Sequence, residues 1–405
     1  MQMQSYQRRT WAEIDLDALE NNYKTLRAMT SDKTLFCCVV KADGYGHGAV
    51  EISKLYERLG AEWLAVSNVE EALQLREAGV NTEVLVLGYT PPKSAAFLAK
   101  YNVTQCVMSS EYGIALAAEA KAARSPVKIH IKLDTGMGRI GFPCKAIEND
   151  PESIEAQTRS IDEIADVCRE EWLVPEGIFT HFSSADEGEE GDEYTTEQIE
   201  HFNSAISALS TRGVDFKIKH ASASSAILDH PEANFDMVRC GIALYGLYPS
   251  DSIRRNVDGL KPAMKLKTVV LQVKELLDGE YVSYGRTYQA EGKRTVATLP
   301  IGYADGFLRR NSKIGTELEI KGKRARLTGR VCMDQCVIDV SEIDGVKMGD
   351  EVTVFGGIIS VGELARLNRT IPYEIFCGLS QRIPRVYISD NNIVHITDYI
   401  LNLDE

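Results

Sequence analysis

A single lysine, Lys41, ends the uncharged run LFCCVV (35–40) and opens the segment KADGYGHGA, which carries Gly44, Gly46 and Gly48. A lysine at the rim of an apolar strand can have a lowered pKa, because burial disfavours the ammonium, and a neutral amine can form a Schiff base with a carbonyl. The same pattern fits a strand-end lysine whose stem lies on apolar surface while its ammonium reaches water. Other polar residues fall at the ends of similar runs. Asp134 and Arg139 follow VKIHIKL, His181 lies within EGIFTHF, Ser222, Ser224 and Ser225 close or follow FKIKHAS, and Arg239 and Gly241 close DMVRCG. Serine hydroxyls and glycine backbone N–H groups are good anion donors. An amine opposite an anion cradle is the pairing that pyridoxal phosphate requires.

These groups converge only if the runs that carry them end on one face. From residue 15 to about 245 there are eight β-rich runs, at 35–40, 63–67, 84–88, 105–109, 127–133, 176–182, 216–222 and 236–241. Most are separated by stretches of helical spacing, such as VEEALQLREAG (69–79) and TTEQIEHFNSAISALSTRG (195–213). This alternation predicts an α/β chain with a (β/α)8 TIM-type barrel, with a doubly wound open sheet as the competing layout. In a barrel the strand ends share the face that carries active sites, and the loops after strands seven and eight commonly hold phosphate. The polar stretch PSDSIRRNVDGLKP (249–262) reads as a linker, and helical periodicity nearly vanishes beyond it. The expected division is a barrel over 12–250 and a mostly β domain from 1–11 and 251–405. RRTWAEIDL (8–16) reads as an extra strand and DEGEEGDEY (186–194) as a solvated acidic loop.

With 45 basic and 59 acidic residues among 405, the net charge of −14 repels phosphate backbones and argues against a nucleic-acid partner. No apolar run nears the ~20 residues that span a bilayer, and MQMQSYQRRTWAEID lacks the apolar stretch of a secretory signal. A soluble, cytoplasmic protein with no membrane partner is expected. The nine cysteines are scattered, and Cys332 and Cys336 have no second pair to complete a metal site, so reduced thiols and no metal are expected. GMGRIG (136–141) spells G-x-G-x-x-G, but Phe142-Pro143 follows at once and bars the helix that a dinucleotide site needs.

The segments VVKADGYGHGA, KLDTGMGRIGF, THFSSADE, MVRCGIALYG, SYGRTY, PIGYADG and RVCMDQC, in that order over nearly the whole chain, resemble the signature segments of the bacterial alanine racemases. The resemblance implies a pyridoxal-phosphate enzyme of fold type III with a C-terminal β domain, working as a homodimer with composite sites. It implies interconversion of L- and D-alanine, either supplying D-alanine for peptidoglycan or breaking it down. A broad-specificity or serine racemase on the same scaffold, or a non-catalytic carrier of the cofactor, are the alternatives.

The same resemblance assigns roles. Lys41 would hold the cofactor covalently and handle the proton on one face of Cα, with Tyr284 of the second subunit on the other. A phenol of ordinary pKa, near ~10, is a poor base at neutral pH, so His181, polarised by Arg239, would take its proton or steady its anion. Arg239 would face the pyridine nitrogen and, as a permanent donor, leave it unprotonated. Tyr45, Ser224, Gly241, Ile242 and Tyr373 would hold the phosphate, although Ala223-Ser224 stands where the family usually has Asn-Ser. Arg139, Met333 and Asp334 would bind the substrate, and Lys132 matches a lysine that is carbamylated in some relatives. Asp186, Tyr303, Arg309, Arg330 and Ile371 resemble the family's entrance corridor, which implies a small substrate and weak activity on serine.

Overall fold

Eight strands build the larger unit: β1 (Leu35–Val39), β2 (Trp63–Val66), β3 (Glu83–Val86), β4 (Val103–Val107), β5 (Val127–Asp134), β6 (Leu173–Phe179), β7 (Ile218–His220) and β8 (Met237–Cys240). Each coincides with one of the eight β-rich runs. In this computed structural model the described residues are 9–401 except Asn256, with the backbone of 403–404. The strands are parallel, in the order β8-β1-β2-β3-β4-β5-β6-β7. The ring closes between β7 and β8, where Asp236 N donates to Lys219 O at 2.9 Å and Arg239 N to Ser222 O at 3.0 Å. Strands such as LFCCV and WLAV are buried almost throughout, because helices cover the outside and side chains fill the inside. The helices start where the sequence offers caps. Asn68 accepts from Glu71 N ahead of Val69–Glu77, and Ser109 accepts from Tyr112 N ahead of Ser110–Ala123.

One local expectation fails. The acidic run at 186–194 is only partly loop, because the helix expected at 195 already begins at Glu189 and runs to Ser210. Glu189, Glu190 and Asp192 lie in its first turn, where carboxylates complement the positive end of the helix dipole. Asp192 is further held by a two-pronged contact from Arg254, at 2.6 and 2.9 Å.

The second unit comprises Met1–Ala18, Tyr45–Gly48 and Pro262–Glu405, and the barrel unit is Leu19–Gly44 with Ala49–Lys261. These breaks fall later than the 11/12 and 250/251 boundaries drawn from sequence. The N-terminal strand Thr10–Asp15 explains the first difference, since it pairs antiparallel with Met264–Val269 and parallel with Arg385–Ser389. It thus sits inside an eleven-stranded sheet of the second unit. Two helices, Val361–Asn368 and Pro372–Cys377, complete this mostly β unit. The glycines of the opening segment also find their reason here. A Cβ on Gly46 would lie 2.3 Å from Phe376 O and one on Gly48 1.8 Å from the Tyr387 hydroxyl, so side chains are excluded by close packing. Arg385 Nε donates to Gly46 O at 2.8 Å from a buried position.

Candidate active site

In the barrel unit the polar residues singled out from sequence do cluster at the carboxyl ends of the strands. Lys41 lies two residues beyond the end of β1, after Val40, and is half-buried; it opens a turn in which Ala42, Asp43 and Gly44 all take left-handed backbone angles near φ 53–59°. Asp43 steadies that turn by accepting from Ala49 N at 2.9 Å. Beyond β5, the Asp134 carboxylate accepts from Gly136 N at 3.0 Å and Gly138 N at 2.9 Å, which folds GMGRIG into a turn presenting Arg139 at the surface. No helix starts from these glycines: Phe142–Pro143 is a short strand, and the next helix begins only at Pro151.

Arg239 on β8 is the centre of the cluster and is only 3% exposed. Its Nη2 donates to Thr180 O and Ala221 O, both at 2.8 Å, and its Nη1 lies 2.8 Å from His220 Nδ1. The contact between Nη2 and His181 Nδ1 is 3.4 Å, a loose third interaction for a nitrogen whose two hydrogens have nearer acceptors. Burial first, and the Arg239 charge second, hold His181 well below the ordinary imidazole pKa. Its backbone is fixed by Gln198 Nε2, which donates to His181 O at 3.2 Å and to Thr135 Oγ1 at 3.2 Å. Lys132 is equally buried and donates to Leu133 O at 2.6 Å. Desolvation, then the Arg239 charge, push its amine down to about 7. Among the described residues neither Lys132 nor Arg239 forms an ion pair with a carboxylate.

The serines after β7 have distinct states. Ser224 Oγ accepts from Gly241 N at 2.9 Å and Ala243 N at 3.3 Å, so it has only its own hydrogen left to give. The Gly241 N–H, assigned to a phosphate from sequence, is therefore spent on Ser224. Ile242 follows directly in the same turn, Ile242–Tyr245. Ser222 Oγ is fully buried and makes no hydrogen bond. An orphaned buried hydroxyl is costly unless a ligand meets it. With two buried cations that lack carboxylates, this end of the barrel fits an anionic group, and pyridoxal phosphate matches it.

The remaining predicted residues lie in the second unit, apart from Asp186, whose carbonyl in the barrel unit accepts from Ser250 Oγ. Tyr284 sits at the tip of the hairpin formed by Tyr281–Val282 and Tyr288–Gln289 and is 67% exposed. Tyr284, Met333 and Asp334 line one open recess of about 400 Å³ together with Ser283, Cys332 and Gln335. Asp334 accepts from Arg382 Nη1 at 2.8 Å, which fixes the recess wall. Ser283 Oγ donates to Arg330 O at 2.6 Å, tying Arg330 to the hairpin. Tyr303 and Ile371 are exposed, and Arg309 opens a short 3₁₀ turn. Tyr45 and Tyr373 meet edge to face with centroids 5.8 Å apart.

Three side chains escaped the sequence reading: His130, His220 and Phe179, all packed behind Arg239. Strand alternation was their available signal, because His130 shares a face with Lys132 and His220 with Ser222.

Comparison with known proteins gives the lineage. Residues 14–249 match the model "Alanine racemase, N-terminal domain" and 263–387 match "Alanine racemase, C-terminal domain". The alanine racemase of Clostridium perfringens strain SM101 is 43% identical over 397 residues, covering 97% of this chain and 99% of that protein. That of Methanococcus maripaludis is 43% identical over 385 residues, with coverages of 93% and 98%. The solved alanine racemase of Clostridium difficile 630 superposes with a TM-score of 0.91 at 39% identity, over 98% of this chain and 100% of that one. The Bacillus anthracis alanine racemase with bound L-Ala-P gives 0.88 at 36% identity, over 99% and 100%. Nearly full-length likeness in both sequence and fold places the chain in the alanine racemase family.

Proposed function

We propose that this enzyme interconverts L- and D-alanine with pyridoxal phosphate, with Lys41 handling the proton on one face of Cα and Tyr284 of a second copy on the other. The observation that carries the reading is how Arg239 spends its hydrogens. Two go to backbone carbonyls and one to His220, which leaves one on Nη1 and one on Nε for a ligand. A ring nitrogen placed there meets a donor that does not release its proton, so it must accept. When bound, the cofactor withdraws electrons from Cα and makes its hydrogen acidic. Ser222 and Ser224 offer hydroxyl hydrogens to the phosphate, and Arg139 offers a fork suited to the substrate carboxylate.

His181 supports the second face. With Nδ1 turned to the guanidinium, its hydrogen sits on Nε2, and burial keeps the ring neutral. It therefore donates to the Tyr284 oxygen and steadies the phenolate, rather than taking the phenol's proton. The exposure of Tyr284 in a single chain supports its use by a second copy, since a phenol at work on Cα needs to be out of water. The homodimer is thus the active species. A racemisation assay comparing L-alanine with L-serine tests the proposal, together with borohydride treatment. Alanine should be preferred in kcat/KM, and borohydride should fix the cofactor on Lys41. Lys41→Ala should abolish the visible absorption of the bound cofactor. A preference for serine, or attachment at another lysine, would overturn it.

A further inference from the structure

Behind Arg239 the barrel core holds a row of side chains that the proposed reaction does not use. His130 and His220 are both fully buried, where barrel interiors are ordinarily packed with branched aliphatic residues. Arginine offers hydrogens and accepts none, so His220 Nδ1, 2.8 Å from Nη1, must be the acceptor. The hydrogen of His220 then lies on Nε2, which is 2.9 Å from His130 Nδ1 and donates to it. That contact in turn places the hydrogen of His130 on Nε2. Every hydrogen in the row points away from Arg239. Burial independently keeps both rings neutral, with His130 pushed down to about 3.

The surroundings are shaped for this row. The pairing of β5 with β6 slips beside His130, setting Gly177 opposite it, and a Cβ on Gly177 would lie 2.7 Å from His130 Nε2. Only glycine admits the ring. Phe179 stacks on His220 at 4.8 Å with planes 7° apart, and the Arg239 guanidinium lies 5.3 Å from the same phenyl ring. His220 is thereby held in plane by a ring and in tautomer by its neighbour.

We infer that His130, acting through His220, is a positioning residue that decides which hydrogens of Arg239 remain for the ligand. Without an acceptor at His130, the Nε2 hydrogen of His220 loses its partner, and the Nδ1–H tautomer would set two donors against each other at Arg239. The inference rests on the alanine racemase reading for its kinetic arm, whereas its tautomer arm stands apart from it.

The test is histidine-selective 15N NMR of the full-length protein, with and without pyridoxal phosphate, the signals assigned from His130→Asn and His220→Asn. Both rings should be neutral with Nε2–H from pH 6 to 9; an Nδ1–H form or an imidazolium at either site overturns the inference. His130→Asn puts Oδ1 where Nδ1 stood and should keep kcat within about threefold. His130→Leu should lower kcat about tenfold, leave KM for alanine nearly unchanged, and shift the His220 signal. A leucine variant with unchanged kcat and an unchanged His220 signal refutes the role, as does an asparagine variant that falls as far as leucine. Should neither variant fold, the tautomers in the unsubstituted protein decide. Absence of racemisation by the unsubstituted protein would instead defeat the functional proposal.

Discussion

Alanine substitution of Ser222 and Ser224 should have opposite effects on the cofactor-free protein, although the two serines are two residues apart. Ser224 Oγ accepts from the Gly241 and Ala243 N–H groups in a buried turn. Ser224→Ala leaves two backbone donors without a partner, and each such loss costs about 1–3 kcal/mol. Allowing for relaxation of the turn, the cofactor-free variant should be destabilised by about 2 kcal/mol. Ser222 Oγ is buried with no partner at all, so its hydroxyl already carries an uncompensated desolvation cost. Ser222→Ala removes that cost and should stabilise the cofactor-free protein by about 1 kcal/mol. Its effect on cofactor binding has the other sign, because a hydrogen bond to a phosphate oxygen is lost and affinity should fall about tenfold. Urea unfolding at one fixed protein concentration gives the first quantity, and absorbance titration with pyridoxal phosphate the second. Equal destabilisation by both substitutions would refute the distinction between a saturated and an orphaned hydroxyl.

Tyr284→Phe should slow removal of the Cα hydrogen from L-alanine far more than from D-alanine, measured by solvent deuterium incorporation in each direction; equal losses would defeat the two-face assignment. Lys132 gives a pH-dependent stability effect. Burial and the Arg239 charge push its amine down to about 7, below the 10.5 of an ordinary lysine, so between these values the unfolded chain binds more protons and stability rises with pH. The burden is greatest at and below pH 7 and gone above pH 10.5. Lys132→Met should accordingly stabilise the protein at pH 7 by more than at pH 10, in bicarbonate-free buffer; a difference that does not change with pH would contradict a depressed lysine. Gly48→Ala should lower the urea midpoint markedly, because its Cβ would meet the Tyr387 hydroxyl at 1.8 Å; Tyr387→Phe in the same chain should restore part of the loss, and no restoration would locate the strain elsewhere.

The barrel was legible because buried strands read as β-rich runs, some of them unbroken and apolar such as LFCCVV and others carrying polar residues such as VKIHIKL, and all eight runs became strands. The order of the eleven-stranded sheet was not, since Thr10–Asp15 finds its neighbours at Met264–Val269 and Arg385–Ser389, far along the chain. The start of the long helix at Glu189 was masked by acidic residues that look like loop but suit a helix N-terminus. At the site, spacing brought Lys41, His181, Ser224 and Arg239 to notice. It could not say that Ser224 takes the Gly241 N–H, because proximity in sequence does not reveal which lone pairs are occupied. His130 and His220 were passed over because each sits in a strand that alternates apolar and polar residues, His130 in VKIHIKLD and His220 at the end of IKH, where a histidine draws no notice.

The two buried cations, Lys132 and Arg239, both 3% exposed, have a consequence for how much of this protein a cell keeps. An unneutralised interior charge weakens the empty chain, and a bound anion relieves it. Binding at a hundredfold excess over Kd adds about 2.7 kcal/mol to stability, enough to change severalfold the abundance of a marginal protein exposed to proteases. On the cofactor assignment proposed above, the supply of pyridoxal phosphate would set the quantity of this protein as well as its activity.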